Sequence, residues 1–328
     1  MKPLSITLIF LIIAVMITMM NDTQQDMYDA NEKVARQYEH HFQAAVADAG
    51  AYLNMLEAQQ ITRNVRYQRE KQLSVDQEVL DVFYANLALK LGIETDSIAI
   101  QNLKLHMPAM VLVHYDGYVL ITNQDLLNVN GTQELSPVFW PKRPFVYELS
   151  NGNLLYFKMD DKAEVYDVSQ NVFLSGNREE LCLITDLSPL LTEEQFHQQR
   201  LHTITDAIET DLSGAINRHL ELSKRMGLAV QFTLPRGWNE QSINHVGLLS
   251  FIQGYPLPSG ELFDSFAFGG NSIYLRNQYI GTVDSTGELV AYKQGCLPSS
   301  GVTIKQNFYE PEEAVKKGYY IQDCSPFQ

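Results

Sequence analysis

The sequence predicts an α+β protein: an N-terminal transmembrane helix continues into a helical stalk and is followed by antiparallel sheet packed on long helices. Three observations support this fold class. An uncharged apolar run opens the chain, a proline-free helical pattern extends from residue 21 to residue 62, and hairpin signals fill the middle. Because helices and strands are grouped rather than strictly alternating, antiparallel sheet is favoured over a doubly wound fold.

The apolar run is long enough to cross a bilayer. Residues Pro3–Met20 carry no charge, and about 18 residues at about 1.5 Å each match the hydrocarbon thickness. The small residues of a signal-peptidase site are missing, which favours an uncleaved anchor; a cleaved or lipid-processed signal is the alternative. Lys2 precedes the run and Asp22 follows it. The positive-inside bias therefore predicts a single-pass protein of the cell membrane, with a cytoplasmic N-terminus and an extracytoplasmic C-terminal region.

Helix signals divide the rest of the chain. Ser74 with Gln77 predicts the start of a helix, and Gly92 predicts its end. Thr192 with Gln195 forms a capping box that opens a long helix. The predicted parts are a transmembrane anchor at 1–20, a helical stalk at 21–72, a first α+β region at 73–190, and a second α+β region at 191–328 with its long helix at 192–226.

Alternating apolar segments around turn pairs predict two hairpins. Asp116-Gly117 and Asn151-Gly152 each supply the positive φ angles that a tight turn requires. The pair Gly269-Gly270 looks like part of a ligand loop, but a turn at the entry of a strand is the better interpretation. The predicted strands lie at 110–115, 118–122, 145–149, 154–158, 163–168, 172–174, 228–234, 272–281 and 283–292.

The charge balance and the titratable residues argue against several classes of function. With 24 basic and 39 acidic residues the formal charge is -15, which disfavours nucleic-acid binding. None of the eight histidines belongs to a metal motif, and His40-His41 read as solvated residues. The acidic pairs at 160–161 and 193–194 point apart or fit a helix N-terminus. We therefore assign no catalytic, cofactor-binding or metal-binding residue and expect a protein that is not an enzyme.

The three cysteines predict one disulfide. Cys296 and Cys324 flank a loop-rich tail, and an external location would allow them to close a loop of about 29 residues. Two free thiols are the alternative. Cys182 lies in the apolar run at 181–184 and is predicted to be a buried thiol. The cysteine spacings fit neither a zinc site nor a redox motif.

One segment carries a resemblance to known proteins. The sequence VGLLSFIQGYPLPSGELFDSFAFGG at 246–270 follows a long helix and LAVQFTLP at 228–235. Together with the short N-terminal start, the single span and the α+β head, it resembles pilin-like and anchored accessory proteins of the tight-adherence and type IV pilus-like export systems of Gram-positive bacteria. The resemblance covers roughly residues 190 to 328 and carries no catalytic residue. The glycine-glutamate processing signature of prepilins is missing, so cleavage and polymerisation as a major pilin are not expected.

These features predict an extracytoplasmic structural or assembly component of an envelope machine, such as a pilus-like, secretion or conjugation apparatus. It would bind the membrane through residues 3–20 and protein partners through its head. An extracytoplasmic ligand-binding or sensory domain is the alternative, and would show a concave apolar pocket with a few convergent polar groups. An anchored hydrolase would need clustered titratable residues. The aromatic-proline stretches at 139–144 and 255–258 are either exposed contact surfaces or packed loops.

Overall fold

The fold is that of a computed structural model, which describes most of the chain. The described residues are 3–62, 68–127, 133–225, 243, 245–271, 279–284, 287–293, 297–298, 301–308 and 311–322. The side chains of residues 3–14 lie outside the described part. The predicted strand at 228–234 and both cysteines of the predicted disulfide, Cys296 and Cys324, also lie outside it.

The described residues form helices and strands that pair antiparallel except for one parallel pair, between residues 290–292 and 320–322, so the α+β class is confirmed. The helices are α1 (Pro3–Thr62), α2 (Arg69–Leu91), α3 (Ser97–Leu105), α4 (Arg178–Ile184), α5 (Glu193–Arg225) and α6 (Pro311–Lys316). The strands are β1 (Met110–His114), β2 (Gly117–Leu127), β3 (Gln133–Phe139), β4 (Phe145–Glu148), β5 (Leu154–Phe157), β6 (Lys162–Asp167), β7 (Val172–Asn177), β8 (Val246–Pro256), β9 (Leu262–Asn271), β10 (Tyr279–Asp284), β11 (Leu289–Lys293), β12 (Val302–Phe308) and β13 (Tyr320–Gln322).

Three sheets organise these strands. The central sheet has the order β3-β2-β1-β8-β9, a second sheet has the order β4-β5-β6-β7, and a C-terminal sheet has the order β12-β10-β11-β13. Every residue of β1 is buried, which requires cover on both faces of the central sheet. His114 faces α1 and α2, whereas the hydroxyl of Tyr118 contacts α5. The central sheet therefore lies between the α1–α2 pair and α5.

Helix α1 has an exposed half and a buried half. All residues from 15 to 30 are exposed. The first described contact with the head is made by Asn31, whose Nδ2 donates to Oε1 of Glu261 at 3.4 Å. Beyond it Phe42, Val46 and Leu53 recur at helical spacing and are fully buried against β8 and β9. The segment predicted as a stalk thus includes a large share of the core helix.

The crossing of α1 over β9 is a contact between two backbones. A Cβ atom on Gly50 would lie 1.7 Å from the carbonyl oxygen of Gly269, and one on Gly269 would lie 2.2 Å from the carbonyl oxygen of Val46. Both distances are far below van der Waals contact, so each position accepts glycine alone. The prediction of a turn at Gly269-Gly270 is wrong, because these residues lie inside β9, where their missing side chains make room for the helix.

Several local predictions hold. The first hairpin pairs His114 with Gly117, and the second pairs β4 with β5. Gly92 ends α2 in the left-handed conformation, at φ 69, which a glycine adopts without strain. In the capping box of α5, the backbone amide of Gln195 donates to Oγ1 of Thr192 at 3.2 Å, and the reciprocal bond has the same length.

Two other predictions are wrong. Helix α2 begins at Arg69 rather than at Ser74, and Gln77 donates forward to Asp81 instead of capping the helix start. Cys182 is exposed, not buried. Helix α4 buries Leu181 alone and turns the neighbouring apolar side chains outward, so Leu183 is 88% exposed.

One hydrophobic cluster joins the two α+β regions that the sequence predicts as separate parts. It takes Phe42 from α1, Phe83 from α2, Leu155 from β5, Ile208 from α5 and Phe251 from β8. A smaller cluster around Phe308 belongs to the C-terminal sheet. The large cluster explains why the long helices and the sheets pack as one head.

Among the residues whose side chains are described, no helix is both long enough and apolar enough to cross a membrane. The backbone of α1 is helical from Pro3 onward. The apolar segment predicted as the span lies mostly within residues 3–14, outside the described side chains.

Candidate functional site

A buried charge cluster, formed by Glu57, Asp76 and His114, lies where α1, α2 and β1 meet. Nδ1 of His114 lies 3.0 Å from Oε1 of Glu57, and Nε2 lies 3.3 Å from Oδ1 of Asp76. All three side chains are at most 3% exposed. The second carboxylate oxygen of Glu57 accepts the backbone amide of Tyr115 at 3.3 Å, and Gln72 donates to Asp76 at 2.9 Å.

The cluster is charged. Burial alone would lower the pKa of His114, but the carboxylates of Asp76 and Glu57 outweigh it and raise that pKa to about 9. Burial likewise opposes the ionised form of Glu57, and the hydrogen bond and the charge of His114 hold its pKa below the ordinary value. At neutral pH an imidazolium therefore bridges two carboxylates.

This geometry fits a structural role and not a reactive one. Nδ1 of His114 is hydrogen-bonded to Glu57, whereas Nε2 lies 3.3 Å from Asp76 without the geometry of a hydrogen bond. The two carboxylates lie on different sides of the ring, so the three groups do not converge on one point where a metal or a substrate atom would sit. Solvent does not reach the ring. The bridge ties the consecutive helices α1 and α2 to the central strand of the sheet.

The exposed half of α1, residues 15–30, is not covered by the described part of the head. Its side chains from 15 to 30 include several apolar residues that solvent reaches freely, namely Val15, Met16, Ile17, Met19, Met20, Met27 and Tyr28. At about 1.5 Å per residue, this part of the helix is roughly 24 Å long. Tyr38 stacks near Tyr255 and Phe263 at the point where the helix enters the head.

An acidic cavity of about 960 Å³ opens between the β5–β6 turn and the first turn of α5. Five carboxylates and two fixed cations line it, and these are Asp160, Asp161, Glu179, Glu193, Glu194, Lys162 and Arg178. Some of these charges have partners: Tyr115 donates to Asp160 at 2.8 Å, and Arg178 lies 3.9 Å from Glu179. The cavity keeps a net negative charge.

A second cavity, of about 420 Å³, lies between β2 and the C-terminal half of α5. Its lining combines Asn123 with charged residues of both signs, among them Arg218 and Glu221. The guanidinium of Arg218 lies 5.0 Å from the ring centre of Trp140, whose indole donates to Thr122 at 3.0 Å. All but one of its lining residues are polar or charged, unlike the predominantly apolar residues expected around the pocket of a small-molecule sensor.

The residues that the sequence singles out are dispersed. The rings of His40 and His41 contact each other edge to face on α1, and Asp161 is 87% exposed beside Arg200. Among the described residues, no group of three histidine, cysteine or acidic side chains is arranged to hold a metal ion. In the second aromatic-proline stretch, Tyr255 and Leu257 are buried and Pro256 ends β8, so this stretch is packed at the end of a strand.

Sequence reasoning missed the buried charge cluster. Glu57 and Asp76 occur in helical patterns where a charged residue is ordinarily solvated. The one available signal was His114 itself, an ionisable residue in the otherwise apolar strand MVLVH. A titratable group in a fully buried strand requires a polar partner, but the sequence does not reveal which residues provide it.

The chain was compared with protein-family models, with curated proteins and with solved structures, and none of the three comparisons found a match.

Proposed function

We propose that the protein is a membrane-anchored, extracytoplasmic structural or assembly component of an envelope machine. One observation carries the proposal: α1 is a single uninterrupted helix from Pro3 to Thr62, exposed from residue 15 to residue 30 and buried in the head from about Phe42. A helix of this kind fixes the head at a set distance and orientation from whatever holds its N-terminal end.

The apolar segment 3–20 is the part that would hold that end. On this proposal it spans the membrane, with the N-terminus in the cytoplasm and the head outside. The crossing at Gly50 and the buried charge cluster at Glu57 both clamp α1 to the central sheet. Any displacement of the helix is therefore transmitted to the head as a rigid movement, which suits a part of a larger assembly.

The described cavities favour this function over the ligand-binding or sensory alternative. Both are lined largely by charged and polar residues, whereas small-molecule pockets are mostly apolar with few polar groups. The arrangement of an exposed helix half followed by a half packed on antiparallel sheet also suits the pilin-like resemblance of the sequence.

A helix-breaking substitution tests the role of the rigid helix. Gln24→Pro should interrupt the exposed half of α1 at a cost of about 3 kcal/mol to the local helix, without touching the head, whose contacts begin at Asn31. In the native host envelope, a photo-crosslinker at Met27 should capture neighbouring proteins in the wild-type chain and lose them in Gln24→Pro. Gln24→Ala is the matched control.

Two outcomes contradict the proposal. One is that only the monomer is recovered from the envelope with the crosslinker at Met27. The other is that Gln24→Pro and Gln24→Ala give the same crosslinked species. A crosslinker at Leu89, exposed on α2 of the head, reports whether the head of each variant still folds and reaches the envelope.

A further inference from the structure

Strand β7 presents an unprotected edge. It is the last strand of the sheet β4-β5-β6-β7, and within the part of the chain that the structure describes no strand pairs with its outer side. Its sequence, Val172-Phe-Leu-Ser-Gly-Asn177, contains no charge and no proline. An open, uncharged edge is a template for an added strand, and proteins ordinarily block such edges.

The other described sheet edges are each blocked. Helix α1 packs against β9, and β3 carries Pro137. Helix α5 packs against β4, exposed Lys305 lies on β12, and β13 has only three residues. Proline, lysine and extreme shortness are usual protective devices, and β7 has none of them. Helix α4, which follows β7 directly in the chain, contacts β7, and its Glu180 lies against Gly176 and Asn177 at the C-terminal end of the strand.

The same edge exposes apolar side chains. Phe173 is 59% exposed and Val172 is 45% exposed. The ring of Phe173 lies 4.9 Å from that of Tyr166 and 6.0 Å from that of Tyr156, measured between centres. These three rings form an aromatic row on the outer face of the sheet, and the row ends at the open edge. A strand added beside β7 would continue the row and cover Phe173.

The acidic cavity lies at the C-terminal end of the same strand. Asn177, the last residue of β7, is part of its lining, together with Lys162, which pairs with Asn177 across the sheet. Glu193 and Glu194 lie opposite, in the first turn of α5. An extended chain that follows β7 toward Asn177 would thus leave the aromatic row and enter a region of negative charge.

We propose that the outer edge of β7 is a docking site for an extended segment of a partner protein, with apolar side chains beside Phe173 and lysine or arginine at the end that reaches the acidic cavity. All neighbouring pairs of this sheet are antiparallel, so the segment runs antiparallel to β7 and its basic residues precede its strand-forming part. This proposal specifies the class of partner that the assembly component binds, and it therefore rests on the proposed function.

A second copy of this chain fits the edge less well. Two β7 strands paired antiparallel about a twofold axis would place the two acidic cavities at opposite ends of the interface, so neither cavity would meet a complementary charge. The two chains also carry a formal charge of -15 each, and like charges oppose association. A basic segment instead neutralises the cavity and binds more weakly as salt rises, because opposite charges near a surface are screened.

A defined peptide tests the site. The probe has three lysines followed by alternating valine and threonine, carries a fluorophore, and is titrated by anisotropy with the full chain in mild detergent. Binding should be saturable and should weaken about tenfold in Phe173→Ser, since the contact of a large aromatic side chain is lost. Glu193→Gln with Glu194→Gln should weaken binding and flatten its salt dependence.

Matched controls separate the site from general attraction to an acidic protein. Ile98→Ser removes an apolar residue on α3 that is more exposed than Phe173, and Glu209→Gln with Glu221→Gln removes the same charge farther along α5; both variants should bind the probe like the wild type. A probe with glutamates in place of lysines should not bind. A probe N-methylated at alternate positions should also fail, because it cannot form the strand hydrogen bonds.

The proposal is overturned if the wild-type chain does not bind the probe, if the N-methylated probe binds equally well, or if the control variants lose binding as Phe173→Ser does. It is also overturned if light scattering shows a dimer that Phe173→Ser dissociates, because the edge would then hold a second copy. The titration depends neither on a membrane nor on the exposed half of α1. A failure of peptide binding therefore leaves the crosslinking test of Gln24→Pro unaffected, and a failure of that crosslinking test leaves the peptide titration unaffected.

Discussion

Nδ1 of His114 lies 3.0 Å from Oε1 of Glu57, inside the core and closed to solvent. The contact joins the central strand β1 to α1, the helix whose N-terminal part is the predicted span. With Asp76 on the opposite side of the ring, the histidine holds α1 and α2 together. Removing it would leave two buried carboxylates without their cation, which is far more costly than removing a whole ion pair.

His114→Gln should therefore destabilise the head strongly. We expect the free energy of unfolding to fall by roughly 3–5 kcal/mol, the usual result of breaking a buried ion pair from one side. Urea denaturation of the full chain in mild detergent measures it. His41→Gln, a half-exposed histidine on α1, is the control and should change stability by less than about 0.5 kcal/mol. Equal effects of the two substitutions would show that the buried cluster does not clamp the helices.

The cluster also predicts a dependence of stability on pH. The pKa of His114 is about 9 in the folded chain, above the ordinary 6.5, so its contribution is complete below about pH 6.5 and is lost as the pH rises through 9. The pKa of Glu57 lies below the ordinary 4.5, so its contribution is present above about pH 4.5 and is lost as the pH falls through the folded value.

Denaturation at a series of pH values checks this dependence. The difference in unfolding free energy between the wild type and His114→Gln should be greatest between about pH 5 and pH 6.5 and should shrink by pH 9.5. A difference that stays constant from pH 6 to pH 9.5 would mean that His114 is neutral in the folded chain.

Gly50→Ala should disrupt the head although alanine favours helices. The added Cβ would meet the carbonyl oxygen of Gly269, and backbone on both sides leaves no flexible group to move aside. We expect a loss of at least about 3 kcal/mol, at the upper end for overpacking. Gly214→Ala, the same change in α5 with only a side-chain atom of Arg218 at 3.7 Å, should stabilise by up to about 1 kcal/mol. Thermal unfolding measures the stability of both variants. Equal melting temperatures of Gly50→Ala and Gly214→Ala would refute the contact between the two backbones.

Local rules predicted much of the fold. The hairpin at Gly117, the end of α2 at Gly92 and the capping box of Thr192 each depend on residues a few positions apart, and each is present. Propensity and turn chemistry act at that range. They failed at Ser74, because the helix already begins at Arg69, and Gln72 in its first turns donates to the buried Asp76.

Features that depend on distant residues were not predictable. Gly269 looked like a turn because the helix that requires its missing side chain lies far away in the sequence. Glu57 looked solvated for the same reason, since only the folded chain brings His114 to it. The open edge of β7 is a property of sheet order. Hydrophobic periodicity gives the face of an element but not the identity of its neighbour.

The disulfide between Cys296 and Cys324 stays a prediction, and counting thiols tests it. Cys182 is exposed, so a maleimide should label it in the folded chain. If the bridge is present, denatured and unreduced protein from the native envelope should contain one reactive thiol out of the three cysteines. Cys296→Ser should free Cys324 for labelling, whereas Cys182→Ser should leave no reactive thiol. Three labelled thiols in the wild type would exclude the bridge.

The last prediction concerns the transmembrane anchor. Replacing Ile9, Ile12 and Ile13 together by lysine places three charges in the apolar segment, each at a cost of roughly 2.5–3.5 kcal/mol on insertion scales. The total exceeds what the remaining apolar residues of the segment supply, so the variant should be released from membranes by an alkaline wash that leaves the wild type in the pellet.

The matched control replaces the same three residues by leucine, which keeps the segment apolar and should leave the protein in the membrane. The head begins its contacts at Asn31, so the melting temperature of the lysine variant should match that of the wild type. If the lysine variant still sediments with alkaline-washed membranes while its head remains folded, residues 3–20 are not the anchor, and the exposed half of α1 must be held by protein contacts instead.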